Sequence, residues 1–311
     1  MKATYKYPPF VQLLICIGLY ILFTFSFYGI AIGYLLPHYY GISAIEFSSG
    51  NYSDPGMLHV MKVFQLAYSI FAFLVPALIF FAIWHKKPLQ YAGLSSDVHW
   101  GWVLFAIIIL FASLPAVGLL SDWNQLIHFG PFDEKLRAMQ ERAKTMTEAF
   151  LNIPKLKDLW VNLLLIAIIP AIAEEFFFRG AVQRIFIKLV HHAWIGILIT
   201  SIFFSLVHGE MLGFFPRVAL GMILGFIYYY TGNLWYAVIV HLVNNGFQVV
   251  VVYLYQHNYL STDITQNTPT PVILGVASII VIIALFYIFK KYVPTNPKQV
   301  MWKNKTQEVL F

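Results

Sequence analysis

Two adjacent carboxylates and an arginine stand inside an apolar, aromatic run: Glu174, Glu175 and Arg179 in the stretch AEEFFFR, flanked by hydrophobic residues from about 160 to 187. An ionisable group at membrane depth costs about 2.5–3.5 kcal/mol or more, so such groups are rare there and serve chemistry, transport or helix bridging. On a helix, residues four apart share a face, so Glu175 and Arg179 can form an ion pair in the favourable order, acid before base. Glu174 lies about 140° from Arg179 by the same geometry. It is therefore the freer carboxylate and suits general-base work. His208 closes the run SIFFSLVH, with Phe204 one turn before it, and His241 and Asn245 are four apart in HLVNN. Together these residues make a hydrolytic site on paper. Glu174 and His208 would hold and deprotonate a water, and the water would attack a peptide carbonyl. His241 and Asn245 would donate hydrogen bonds to the oxyanion, worth roughly 3 kcal/mol per donor in known cases. The same side chains could instead only bridge helices, with the histidines as interfacial residues.

Composition sets the solvent that must surround these groups. The chain is 59% hydrophobic and 11% charged, against about 25% charge in a soluble domain. No internal repeat, long polar linker or low-complexity tract divides residues 1–311, so a single all-α integral membrane domain is expected. Its basic residues flank apolar segments, which suits anionic lipid head groups and leaves no basic face for nucleic acid. Cys16 is the sole cysteine. It allows no internal disulfide and no cysteine-based zinc cluster, and reads as a buried small hydrophobe.

About eight transmembrane helices are expected, near 10–36, 60–84, 100–120, 159–178 (extending to 188), 194–207, 215–230, 234–255 and 271–289; the first is too long for a cleaved signal peptide. If the fourth ended at 178, Glu174 and His208 would lie near opposite surfaces. A longer fourth helix brings them together. Lys2, Lys6, Lys86, Lys87, Arg184, Lys188 and the lysines after 289 favour cytoplasmic termini. The polar loop 121–158 disagrees, because it carries six basic residues on the other side. Within it, 133–150 reads as a helix with Leu136, Met139, Ala143, Met146 and Phe150 roughly on one side, either interfacial or packed on the bundle. Residues 308–311 look like a tag remnant.

The ordered set Glu174-Glu175-x-x-x-Arg179, Phe204-x-x-x-His208 and His241-x-x-x-Asn245 resembles the three-motif signature of the CPBP family. These are glutamic-type intramembrane endopeptidases that include CAAX proteases and bacteriocin-processing or self-immunity (Abi-like) proteins. The resemblance covers about 159–255, the expected catalytic core. It implies helices around an intramembrane polar cavity open to the cytosol. It also implies that Glu174 and His208 activate water, that His241 and Asn245 form the oxyanion site, and that Glu175, Arg179 and Phe204 support it. No cofactor is implied. The short loops favour a bacterial cytoplasmic membrane and a peptide or membrane-protein substrate, with lipid as the other partner.

Other readings stay open. Glu174, His208 and His241 could hold zinc as a two-histidine, one-carboxylate site. The protein could be a non-catalytic scaffold or a bacteriocin self-immunity protein, or a proton-relaying transporter, although matched broken helices are not seen. His191 and His192 read as interfacial. Glu210 and Arg217 flank a short turn and could gate it or merely be solvated. The tyrosines and Trp235 around Thr231-Gly232-Asn233 read as an aromatic belt.

Overall fold

The computed structural model describes residues 7–84, 87–94, 97–261 and 268–294. Residues 1–6 and 295–311, with the suspected tag remnant, lie outside it. All regular elements among the described residues are helical. The principal ones are α1 (Pro9–Tyr40), α2 (Pro55–Trp84), α3 (Trp100–Gln125), α4 (Asp133–Phe150), α5 (Leu156–Val190), α6 (Ala193–Val207), α7 (Phe214–Thr231), α8 (Leu234–Gln256) and α9 (Val272–Tyr292). Among the described residues, seven helices are long and apolar enough to cross a membrane. The chain is thus an all-α polytopic membrane protein. The expected fifth span is α6, which is apolar but only 15 residues long. Its neighbour α5 runs for 35 residues, the longer of the two lengths expected for the fourth span.

Local chemistry starts and stops these helices. Asp54 caps α2 by accepting from the Gly56 and Met57 amides, with Pro55 at the first helical position. Asn233 accepts from the Trp235 amide at the start of α8, and Gly232 ends α7 in the left-handed conformation at φ 64°. That pair makes the tight α7–α8 turn. His191, also left-handed at φ 54°, makes the turn from α5 into α6.

Burial ranks the helices. In the most apolar window of α5, 61% of residues are buried, against 11% in α1 and 17% in α9. α5 is therefore the hub, while α1 and α9 turn large side chains such as Phe25 and Ile273 outward, as a lipid-facing surface does. One core joins α1, α2 and α5 through Phe73, Phe80, Phe81, Phe177 and Phe178. A second joins α3, α7, α8 and α9 through Ile109, Ile227, Val240 and Phe289. Two close approaches place α6. A Cβ on Gly196 would lie 2.7 Å from the Ile187 backbone nitrogen of α5, and one on Gly221 of α7 would lie 3.0 Å from the Ser201 Cβ.

α4 lies along the bundle. Leu136, Gln140, Ala143, Met146 and Phe150 are turned inward in whole or part, and the lysines and glutamates between them are exposed. Phe150 packs with Met57 and Met61 of α2, and Lys62 donates to the Phe150 carbonyl at 3.2 Å. The C-terminal end of α4 thus packs on the bundle. Met139, expected on its apolar side, is 47% exposed.

Candidate functional site

The five ionisable positions Glu174, Glu175, Arg179, His208 and His241 approach one another because α5 continues past its motif. Glu174 is 16 residues from the end of α5 at Val190, and His208 is 15 residues from the start of α6 at Ala193. Each is then roughly 22–24 Å along its helix from the shared His191-His192 turn, so they stand at the same depth. α5 also widens directly after the two glutamates, into i→i+5 turns over Phe176–Gln183. Such widened turns recur at functional sites.

Glu175 and Arg179 pair at 2.7 Å, with 0% and 1% side-chain exposure. The pairing expected from their spacing is present even though the turn is not a regular α-helical one. Arg179 spends a second donor on the Gly221 carbonyl of α7 at 3.0 Å, and Gln183, one step further, donates to the Gly225 carbonyl at 3.0 Å. The guanidinium also lies 4.9 Å over the Phe204 ring. A buried charge needs such partners, although Arg179 Nε and Glu175 Oε2 are buried without a hydrogen bond. The α5 face carrying Glu175, Arg179 and Gln183 is therefore tied to α7, and Phe204 supports it from α6.

Glu175 has a further partner. His241 Nδ1 lies 2.8 Å from the same Glu175 Oε1 that receives Arg179. His208 Nδ1 lies 2.7 Å from the Phe204 carbonyl oxygen. A carbonyl and a carboxylate accept, so both rings donate from Nδ1 and turn Nε2 inward. Both Nε2 atoms then face one atom: Glu174 Oε2 is 3.9 Å from His208 Nε2 and 3.9 Å from His241 Nε2. Phe204 stacks at 4.6 Å from the His208 ring and 6.2 Å from the His241 ring. Exposure rises from His241 at 7% through Glu174 at 11% to His208 at 29%, so the cluster opens at its His208 edge.

Asn245 is one turn beyond His241 on α8. Its amide donates to the Ile166 carbonyl of α5 at 3.1 Å, and its oxygen accepts from Asn244 at 3.0 Å. Its polar atoms are thus engaged beside the cluster, with no direct bond to the two histidines or to Glu174. Among the described residues, no group of three or more histidine, cysteine or acidic side chains is arranged to hold a metal ion.

Sequence reasoning missed the Glu175–His241 bond. Which nitrogen of an imidazole faces which neighbour depends on tertiary contact, and no spacing encodes it. The Arg179 and Gln183 contacts had a readable signal, because Glu175, Arg179 and Gln183 recur every four residues in an otherwise apolar segment.

The family profile described as "Type II CAAX prenyl endopeptidase Rce1-like" matches residues 156–247, the segment from the start of α5 into α8. The provisionally named membrane peptidase YdiL of Bacillus subtilis (strain 168) is 24% identical over 247 residues, covering 78% of this chain and 95% of that protein. No solved structure matches the chain. The matched segment contains all of the Glu/His cluster, an arrangement consistent with a glutamic-type catalytic site and a CPBP-type peptidase. By this profile, residues 156–247 are similar to the Rce1-like CAAX peptidase domain, and the buried Glu/His cluster lies within the matched segment.

Proposed function

We propose that this protein is an intramembrane endopeptidase in which Glu174 and His208 activate a water molecule without a metal. The observation that carries the reading is the 3.9 Å separation between Glu174 Oε2 and each of two inward-facing Nε2 atoms. That distance is too long for a direct hydrogen bond and suits a water bonded to two groups. Glu174 and the neutral His208 ring both accept, so a water donating one hydrogen to each keeps its lone pairs free for attack. The water oxygen adds to the peptide carbonyl carbon while its proton passes to Glu174. The tetrahedral intermediate collapses with cleavage of the C–N bond, and the same proton passes to the leaving nitrogen.

His241 and the second amide hydrogen of Asn245 are assigned to the oxyanion. Because Nδ1 of His241 is committed to Glu175, donation from Nε2 uses a doubly protonated ring, and Glu175 faces that ring as its counter-charge. Glu175, Arg179 and Phe204 hold the two imidazoles in place. Substrate would be a peptide or membrane protein, prenylated or not, reaching a polar cavity among α5, α6 and α8 in a bacterial cytoplasmic membrane. The catalytic core is assigned to about 159–255 within a single domain.

The test compares the membrane proteome of cells carrying the wild-type protein with that of cells carrying Glu174→Gln, which keeps shape and removes the base. Fragments that vanish in the variant identify substrates. An unchanged fragment set from comparably expressed protein defeats the assignment. Activity that persists after exhaustive chelation is expected; activity restored only by zinc would transfer Glu174, His208 and His241 to a metal site.

A further inference from the structure

The most exposed member of the cluster, His208, sits at a helix end, where a side chain is easily misplaced. α6 stops at Val207, Gly209 follows in the left-handed conformation at φ 72°, and the chain turns through Met211–Gly213 into α7. Leu212 is buried in that turn, and Phe215 just after it packs 4.9 Å from the Trp123 ring of α3. Arg217 of α7 donates to the Glu210 carboxylate at 2.6 Å and Ser205 of α6 to the Phe214 carbonyl at 2.9 Å; the bonds that reach outside α6 and α7 go to the C-terminal end of α3. Asn124, fully buried, donates to the Met211 carbonyl at 3.0 Å and accepts from the Phe215 amide at 2.8 Å. One side-chain amide thus grips both ends of the turn. Gln125 adds a bond to the Leu212 carbonyl at 3.0 Å between them.

We propose that Asn124 is a positioning residue for His208. It acts through the 209–215 turn and not by touching the reacting atoms. The proposal rests on the catalytic reading of His208. Two features single out Asn124. It is a polar side chain at 0% exposure in a helix whose other buried positions are apolar or small. Its donor and acceptor are both spent on the segment that follows His208, 87 and 91 positions away in the chain but in direct contact. A displacement of order 1 Å at a catalytic group costs on the order of a hundredfold in rate, so a slackened turn should be visible in turnover before it is visible in stability.

The test uses the full-length protein in one detergent with three variants. Asn124→Leu keeps size and removes both bonds. Asn124→Asp keeps the acceptor for Phe215 and loses the donor to Met211. Gln125→Ala removes only the middle bond. Turnover of an internally quenched peptide carrying a farnesylated cysteine followed by three residues is measured as kcat and KM. Independently, the His208 ring signal in ¹³C-histidine-labelled protein, assigned through His208→Gln, is followed across pH.

The expected result for Asn124→Leu is a loss of kcat of about tenfold or more, with KM within about twofold and a shifted His208 signal. Asn124→Asp should recover part of the loss. Should Asn124→Leu fail to fold, Asn124→Asp and Gln125→Ala carry the comparison. A His208 signal that matches wild type in every folded variant overturns the proposal, as does a loss of kcat that only tracks the amount of folded protein. His208→Ala at wild-type turnover would instead sink the catalytic reading, and the ring signal would still report whether Asn124 places His208. If wild type leaves the peptide uncut, the same signal decides.

Discussion

Arg179 is the residue on which most contacts of the site converge. It pairs with Glu175, binds the Gly221 carbonyl and covers the Phe204 ring, while Glu175 in turn holds His241. Truncating one partner of a buried ion pair leaves the other charge uncompensated, at a cost of about 3–5 kcal/mol. Arg179→Ala and Glu175→Gln are therefore expected to lower the melting temperature and yield of the purified protein along with its activity. Glu174→Gln should melt as wild type and cleave nothing, because Glu174 makes no short bond to lose. Fluorescence-detected thermal unfolding of the three proteins side by side separates the two classes; wild-type melting in all three would contradict the ion-pair account. At this scale the sequence was read well where spacing decides, as for Glu175 and Arg179. It was silent where an imidazole chose its partner, as for His241, and where a distant side chain, Asn124, reached the turn after His208.

The order of the elements was legible because apolar length alone marks a spanning helix, and seven of the eight expected spans have that length, α6 falling short. One boundary is instructive. The run around Glu174 looked as if it could end near 178, since charges usually terminate a span. It continues because Arg179, Gln183 and Arg184 all find partners inside the bundle. What joins α5 to α6 is a contact no composition encodes: Gly196 against the Ile187 backbone. A methyl group there has no room, and overpacking of this kind costs about 1–3 kcal/mol. Gly196→Ala is expected to destabilise the protein by that amount in denaturant-detergent titration, with a larger loss for Gly196→Leu. α4 offers a pH-dependent counterpart. Arg137, 2.7 Å from Asp133, and the Phe129 amide hold the Asp133 carboxyl below its usual range. A depressed carboxylate stabilises above the unfolded value and loses that contribution as pH falls through the folded one. The start of α4 should therefore exchange amide hydrogens faster below about pH 4, and Asp133→Asn should show the faster exchange already at neutral pH.

For the whole molecule, the sequence expectation of eight passes with cytoplasmic termini requires the short α6 to cross along with the seven long helices. On that expectation the His208 edge and α4 would share the outer half, against the cytosolic opening that the family resemblance implies. Cysteine labelling in a Cys16→Ser background decides between them. His128→Cys, a highly exposed position before α4, should react with an impermeant maleimide from outside intact cells; reaction only after lysis would reverse the orientation. Fifteen residues of α6 reach only about 22 Å, less than the roughly 30 Å of hydrocarbon in a bilayer. If α6 starts at one surface, the polar groups after Val207 would lie below the level at which lipid tails ordinarily begin, and the acyl chains around them would have to shorten, tilt or withdraw. Bilayer thickness would thereby become a setting of the machine: longer tails press harder on that sunken rim, and shorter ones leave it wet.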